Sequence, residues 1–369
     1  MSSLSPEELL AVLRLQRVPL VGDINAKKLL ERCGSAQQIF REREETLQKI
    51  DGIGSAITSK LWNPTYAKQA ETEMTFIEKN QISYTFFKEA SYPHRLKHCI
   101  DAPILLFKSG CLNLNNPKII SIVGTRKITS YGAAFIDEFI DSIAPLNPII
   151  VSGFAYGVDI AAQRVAMQHN LQTIGCLAHG LNQVYPRVHQ KYVSKVEANG
   201  GFLTEFWSSS VPERENFLKR NRIIAGISEA TIVVESAEKG GSLVTADLAN
   251  GYNRDVFAVP GRHTDRYSRG CNNLIKQQKA HLLTSAADLI YLLRWQLEEK
   301  QQPIQKQLFV ELNEIEKAIY QHLQVNGKQL LDAIAQACQL PIFKTSSTLL
   351  NLEMKGMVRP LPGKLFEAI

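Results

Sequence analysis

Residues 230–246, ATIVVESAEKGGSLVTA, place an apolar, β-branched run directly before two glycines and two hydroxyl side chains. The run ATIVVES has the composition of a buried strand, and the residues after the glycines are typical of a helix start. Glycine lets the backbone turn sharply, so that a ligand can reach N–H groups where the helix dipole favours negative charge. The stretch therefore predicts a strand, a turn and a helix, with a phosphate site formed by Gly240, Gly241, Ser242 and Thr245.

Similar apolar runs on both sides of this stretch define the fold class. Helical segments separate them, and strands this apolar with helices between them indicate a parallel sheet that is covered on both faces. The sequence therefore predicts an α/β fold with a doubly wound sheet. The runs are ISYTFF (82–87), ILLFKSG (104–110), IISIVG (119–124), PIIVSG (148–153), QTIGCLA (172–178) and DVFAVPG (255–261).

Glycine-containing loops follow the strands, at the edge where an open parallel sheet binds its ligands. One such loop alone is more often connective than functional, because strand-to-helix turns use glycine anyway. Several loops together, with many Lys and Arg on the same edge, predict successive phosphate sites, which fits a polynucleotide strand. The second candidate site is Gly124, Thr125 and Arg126, and the third is Ser152, Gly153 and Gly157. Candidate stacking residues for unpaired bases are Tyr131, Phe154, Tyr156, Tyr185 and Tyr267.

The stretch FLKRNRIIAG, residues 217–226, adds three cations to an otherwise apolar helix, Lys219, Arg220 and Arg222. These side chains cannot all be buried without partners. They are expected either to lie toward the glycine loops or to form a solvated face.

The spacing of the motifs excludes several common sites. The first strand of the sheet lacks a following GxGxxG, and the chain has no GxxxxGK[ST], so neither a dinucleotide nor a Walker-type nucleotide site is supported. Ile150 stands where a GxSxG nucleophile motif needs its first glycine. The six cysteines are scattered singly, which argues against disulfides and structural zinc. No metal, cofactor or catalytic residue is predicted.

The bulk composition is that of an ordinary globular protein. The chain has 369 residues, of which 44% are hydrophobic and 21% charged, and its net charge is +6. That charge leans toward a polyanionic partner. No apolar run is long enough to span a membrane, and the acidic N-terminus does not resemble a signal peptide, so we expect no membrane association and a cytoplasmic location.

Two smaller segments flank the predicted sheet. Helical periodicity covers residues 5–62, and IDGIGSAITSKL (50–61) resembles a helix-hairpin-helix motif. VPLVGDINAKKLL (18–30) resembles a degenerate first copy, with Leu20 where the first glycine would be; the alternative is a helical scaffold with glycines as turns only. Three helices and a hairpin at the C-terminus resemble a winged helix. The expected domains are 1–75 (helical, SAM-like or helix-hairpin-helix), 76–294 (Rossmann-like), 295–307 (linker) and 308–369 (winged helix).

The motifs taken together resemble one family. SIVGTRKITSYG, IVSGFAYGVDIAAQ, GLNQVYPRVHQKYV, GGFLTEF, FLKRNRIIAGISEATIVVESAEKGGSLVTADLA and RDVFAVPG occur in the order typical of the DprA/Smf family of DNA-processing proteins. This resemblance runs from about residue 80 to 293, and a helical N-terminal domain and a winged helix are the usual companions of that core.

The resemblance implies a non-catalytic role. An extended Rossmann-like domain would bind single-stranded DNA and form a homodimer. The protein would protect incoming DNA during natural transformation, in competent cells, and help to load the recombinase RecA. The implied DNA contacts lie in VGTR, SGFAYG, FLKRNR and GGSLVTA, with Arg187 after VYP as a further candidate.

Two other functions remain open at the level of sequence. A Rossmann-like hydrolase of nucleoside monophosphates would need a carboxylate facing the ribose. Glu205, Glu235 and Glu238 lie near strand ends, but none falls in the PGGxGTxxE pattern of those enzymes. A regulator that binds duplex DNA through the winged helix would need a basic surface there, whereas the charges of the last sixty residues cancel.

Overall fold

A computed structural model describes residues 4–296, 312–361 and 363–369. It divides into two compact units, Met1–Leu297 and Glu298–Ile369. Of the predicted linker 295–307, only Trp295 and Gln296 are among the described residues, and the first residues of the predicted winged helix, 308–311, also lie outside them. In the described ranges, no helix is long and apolar enough to cross a membrane.

The first unit begins with a helical segment. Its helices are α1 (Pro6–Arg17), α2 (Asp23–Cys33), α3 (Ala36–Arg41), α4 (Glu44–Leu47), α5 (Ser55–Leu61) and α6 (Pro64–Lys79). Gly52 has φ +83°, and Gly54 is the N-cap of α5, as a tight hairpin requires. Leu20 has φ +68°, a left-handed conformation that glycine adopts more readily than leucine.

A nine-stranded sheet follows, in the order β1-β2-β6-β5-β4-β3-β7-β8-β9. The pairs β1–β2 and β2–β6 are antiparallel, and the remaining pairs are parallel. The strands are β1 (Ser83–Phe86), β2 (Leu105–Gly110), β3 (Ile119–Val123), β4 (Ile149–Ser152), β5 (Thr173–Cys176), β6 (Gly200–Thr204), β7 (Ala230–Val233), β8 (Asp255–Ala258) and β9 (His281–Leu282).

Helices cover both faces of this sheet, which confirms the doubly wound class. One face packs against α8, α9 and α14, and the other packs against α11, α12 and the N-terminal helices. The helices are α7 (His94–Lys97), α8 (Ser130–Ile143), α9 (Val158–Gln168), α10 (Gln190–Ala198), α11 (Arg214–Ile227), α12 (Gly241–Gly251), α13 (Arg269–Lys276) and α14 (Ala286–Leu292).

The apolar pattern predicted every strand of this sheet except β6 and β9. Strand β6 opens with Gly200 and Gly201, which weaken a strand pattern. Their place in the fold requires glycine, because a Cβ on Gly200 would overlap the carbonyl of Thr173 and one on Gly201 that of Ser109. Close approach to both neighbouring strands therefore explains why β6 begins with two glycines, which made it hard to predict from the sequence.

The second unit is a small helical domain with a three-stranded sheet, in the order β10-β12-β11. Its own core contains Ile319, Leu323, Leu349 and Leu352. This order of three helices and a terminal hairpin is that of a winged helix. The elements are α15 (Glu314–Asn326), β10 (Gln329–Leu330), α16 (Leu331–Ala337), α17 (Ile342–Met354), β11 (Val358–Leu361) and β12 (Leu365–Ala368).

Candidate nucleic-acid interface

A cleft of about 710 Å³ lies where β3 and β7 end. It brings together all residues of the first and second predicted phosphate sites. The predicted site residues that line it are Gly124, Thr125, Arg126, Arg220, Gly240, Gly241, Ser242 and Thr245. Arg126, Arg220 and Gly241 thus share one surface, although they are far apart in the sequence.

The start of α12 forms one wall of the cleft. Gly240 is the N-cap, no side chain caps the helix, and its first turn holds no acidic residue. Ser242 is held by a hydrogen bond from its Oγ to the Oγ of Ser236 at 2.9 Å. A Cβ built on Gly241 would meet no atom within 4 Å, so the backbone is open to solvent there. First-turn N–H groups without intrahelical partners are suited to bind an anion.

The loop after β3 forms the second wall. The Thr125 N–H donates to the Glu235 carbonyl at 2.7 Å, and the Thr125 carbonyl accepts from the Val158 N–H at 3.1 Å. Gly157, with φ +78°, packs so closely on Thr125 that a Cβ would overlap its carbonyl. Gly157 therefore supports the loop on the side away from the cleft. The exposed side chain of Arg126 lies at the rim of the cleft.

Arg220 is buried at the base of the cleft, where it ties strand ends together. Its Nη1 donates to the carbonyl of Gly153 at 2.8 Å and to that of Cys176. Gly153 must be glycine, because a Cβ would lie 2.5 Å from Asp159 Oδ2 and 2.6 Å from Arg220 Nη1. Burial raises the pKa of Asp159, and the nearby guanidinium of Arg220 opposes that shift. Arg220 thus supplies positive charge from below while it holds β4 and β5 in place.

Two aromatic side chains, Tyr185 and Phe217, also line the cleft, and the sequence predicts only the first of them as a stacking residue. The ring of Phe217, which is half-buried, lies 5.0 Å from the guanidinium carbon of Arg126 and 5.7 Å from the ring of Tyr185. Tyr185 was a candidate stacking residue, whereas Phe217 was not. Its position three residues before Arg220 on one helix was the available signal, because such residues share a helix face. Arg214 and Lys239 also line the cleft.

Six predicted contacts do not line the cleft: Gly153 and Gly157 lie behind it, and the other four lie elsewhere. Ser152 is fully buried, and its Oγ donates to the Ile122 carbonyl at 2.6 Å, so a ligand cannot reach it. Arg187 is exposed but does not line the cleft. Lys219 and Arg222 both point to the buried carboxylate of Glu205, with Lys219 Nζ at 3.1 Å from Oε2. The charges of Lys219 and Arg222 are therefore committed to another site.

Arg222 joins the sheet to the N-terminal helices. Its guanidinium pairs with Glu205 after β6 and with Asp23 Oδ2 at 2.9 Å, at the start of α2. Asp23 Oδ1 also accepts the Ile104 N–H at 2.9 Å. Burial alone would lower the pKa of Arg222, but the two carboxylates raise it above the ordinary arginine value. Burial raises the pKa of Glu205, which Arg222 and Lys219 oppose.

Other polar groups near this edge are structural. Burial lowers the pKa of His179 and of His189, and their Nδ1 atoms lie 2.9 Å from the carbonyls of Gly180 and Phe154. Within the part of the chain that the structure describes, no three His, Cys, Asp or Glu side chains form a group that could hold a metal ion.

Comparison with known proteins places the chain in a family. The family model described as DNA recombination-mediator protein A matches residues 83–294, which is more than half of the chain. The chain belongs to the DprA/Smf family. The model described as the DprA winged helix domain matches residues 306–364.

Several DprA and Smf proteins are similar to the chain over much of its length. Protein Smf of Synechocystis is 28% identical over 94% of this chain and 95% of its own. The DNA processing protein DprA of Streptococcus pneumoniae is 37% identical over 54% of this chain and 70% of its own.

Two solved DprA structures share the fold. The X-ray structure of DprA from Streptococcus pneumoniae has a TM-score of 0.65 and 29% identity, and it covers 78% of this chain and 98% of its own. DprA from Helicobacter pylori, whose structure describes a single-stranded DNA binding mode, has a TM-score of 0.52 and 29% identity. That match covers 58% of this chain and 96% of the Helicobacter chain.

Proposed function

We propose that the protein binds single-stranded DNA in the cleft between the loop after β3 and the start of α12. The observation that carries this proposal is the convergence of three features on one surface. Gly241 presents open backbone at an uncapped helix start, Arg126 stands at the rim, and Phe217 offers an aromatic ring beside it. Helix N–H groups and a guanidinium suit phosphate, and a ring suits an unpaired base.

The proposed contact set follows from the structure of the cleft. Gly124, Thr125, Gly240, Ser242 and Thr245 would shape or present the backbone donors. Arg220 would contribute charge from the base, and Gly153 and Gly157 would support the two loops. The family name of the relatives and the single-stranded DNA binding mode of the Helicobacter protein support this choice of ligand.

The hydrolase alternative finds little support in the positions of the carboxylates. Glu205 is buried and paired with Arg222. The carboxylate of Glu235 accepts hydrogen bonds from the N–H and the hydroxyl of Thr129. Among the described residues that line the cleft, the acidic one is Asp159, which accepts the Gly153 N–H at 3.1 Å and lies beside Arg220. A carboxylate held in this way is poorly placed to attack or protonate a ribose.

Duplex recognition through the winged helix is also disfavoured. Helix α17, the third helix of that unit, exposes the apolar side chains of Phe343 (76% exposed), Leu350 (56%) and Met354 (82%). Arg359 and Lys328 pair with Glu367. A surface of this kind offers less positive charge to a DNA backbone than duplex binding usually requires.

Fluorescence anisotropy of labelled oligonucleotides would test the proposal. The protein should bind an unstructured strand of some tens of bases with an affinity that falls steeply with salt, and a duplex of equal length much more weakly. Arg126→Ala should weaken binding and reduce the salt slope by about 1. Arg164→Ala removes an equal charge from an exposed position of α9 outside the cleft, and it should change neither. Equal affinity for both DNA forms, or release of free base from a nucleoside monophosphate, would contradict the proposal.

The resemblance to the family extends the proposal to partners. We infer that the protein forms a homodimer through its Rossmann-like domain, protects incoming DNA and helps to load RecA during natural transformation. Light scattering of the purified protein tests the dimer. Strand exchange by RecA on DNA coated with a single-strand-binding protein tests loading, and no stimulation by this protein would contradict it.

A further inference from the structure

A second cleft, of about 840 Å³, lies at the same edge of the sheet. It is formed between the start of α8 and the loop 260–268 that follows β8. Tyr131 spans the two, because its ring is 52% exposed while its hydroxyl donates to the Pro260 carbonyl at 2.8 Å. Tyr267, half-buried, forms the facing part of the wall.

The two clefts adjoin at the residues that follow β7. Glu235 lines the second cleft, and the next residue, Ser236, lines the first. The Ser236 N–H donates to the Tyr267 carbonyl at 2.6 Å, and the Glu235 carbonyl accepts the Thr125 N–H from the first cleft. The Cα atoms of consecutive residues lie about 3.8 Å apart, so the two clefts are close enough for one nucleic-acid strand to reach both.

The charges of the second cleft differ from those of the first. Arg262 and Arg266 are balanced by Glu235 and Asp265, so the cleft has no net positive charge with which to concentrate phosphate. It offers instead two tyrosine rings beside hydrogen-bond donors and the exposed carboxylate of Asp265. An unpaired nucleobase needs this combination, because it stacks on a ring and presents amino groups and ring nitrogens at its edge.

We propose that the second cleft binds an unpaired base of the same strand whose phosphates occupy the first cleft. This inference rests on the proposed function. Tyr131 and Tyr267 would stack on the base, and the exposed Asp265 would accept from its exocyclic amino group. The protein would then read two neighbouring parts of one strand, by phosphate in one cleft and by base in the other.

The test uses the full-length protein and two labelled oligonucleotides of equal length and charge, one normal and one whose sugar-phosphate backbone carries no bases. Tyr131→Ala should weaken binding of the normal strand by about tenfold, since stacking on an aromatic ring contributes that much for one base. It should leave binding of the base-depleted strand nearly unchanged. Tyr131→Phe is the matched control, because it loses the hydrogen bond to Pro260 but keeps the ring, and it should bind both strands as the unmodified protein does.

The outcomes separate this inference from the proposed function. If Tyr131→Ala binds the normal strand as tightly as the unmodified protein while Arg126→Ala binds it weakly, the base site is wrong and the phosphate cleft stands. If Tyr131→Phe and Tyr131→Ala lose affinity equally for both strands, Tyr131 acts through the loop rather than by stacking, which also overturns the inference. Failure of the unmodified protein to bind either strand would refute the proposed function itself.

Discussion

Replacing Arg222 by alanine should lower the free energy of unfolding and leave the proposed DNA site intact. The guanidinium of Arg222 is paired with Glu205, and the two side chains are only 8% and 4% exposed. Removing one member of a buried pair leaves an uncompensated charge, which typically costs about 3–5 kcal/mol. Lys219 stays 3.1 Å from Glu205 and is 54% exposed, so it compensates in part. We therefore expect a loss near the lower end, about 3 kcal/mol.

Urea unfolding followed by tryptophan fluorescence measures this loss. Trp207 is a suitable reporter, because it is buried and its Nε1 donates to Gln16 at 2.9 Å, across the junction that Arg222 helps to hold. Lys219→Ala is the matched control: it removes a partly exposed cation from the same carboxylate and should cost no more than about 1 kcal/mol. The double variant Arg222→Met, Glu205→Gln removes both charges and should recover part of the stability.

DNA affinity decides between the two interpretations of Arg222. Under conditions where the variant is folded, Arg222→Ala should bind a single strand as tightly as the unmodified protein does. An unchanged urea midpoint together with weakened DNA binding would refute the assignment of Arg222 to the buried ion pair.

Three further predictions concern the cleft and the buried groups. Gly241→Ala should weaken binding of single-stranded DNA without lowering stability, since the added methyl group meets open space in the free protein. Gly251→Ala, at the other end of α12, is the control and should change neither DNA affinity nor stability. Equal affinities of the two variants in an anisotropy titration would argue against close approach of the strand to Gly241. Burial lowers the pKa of His179 from 6.5, so the unfolded chain takes up protons that the folded chain does not. The free energy of unfolding should therefore decrease as the pH falls below about 6.5, and this decrease should be smaller in His179→Gln. Urea midpoints of the two proteins measured at several pH values would show it. An identical pH dependence of the two proteins would contradict this. Cys111 is exposed, whereas Cys176 is buried and its pKa is raised by burial to about 12. A thiol reagent should therefore label Cys111 first and Cys176 only on unfolding, which peptide mass spectrometry would show. Early labelling of Cys176 would be inconsistent with its burial.

The order of strands and glycine loops was accessible from the sequence. Apolar β-branched runs are required wherever a strand is covered on both faces, so the five neighbouring parallel strands β5, β4, β3, β7 and β8 were visible as composition alone. The turn at Gly240 and Gly241 was visible for a similar local reason, because glycine lets the backbone turn sharply between a strand and a helix. The positive φ of Leu20 was not visible in the same way, because leucine rarely adopts the left-handed conformation.

The roles of the cations in FLKRNRIIAG were decided only by the tertiary structure. At 3.6 residues per turn, Arg220 and Arg222 point about 160° apart on α11, so one helix sends its charges to opposite sides. The helical repeat determines that the two side chains point in opposite directions. It does not determine that Arg220 lies under a cleft and Arg222 beside a carboxylate. Packing α11 on the sheet placed Arg220 under the cleft, and the docking of α2 brought Asp23 to Arg222. Asp23 and Arg222 are 199 residues apart, and no local pattern can indicate a contact between partners that only the folded chain brings together.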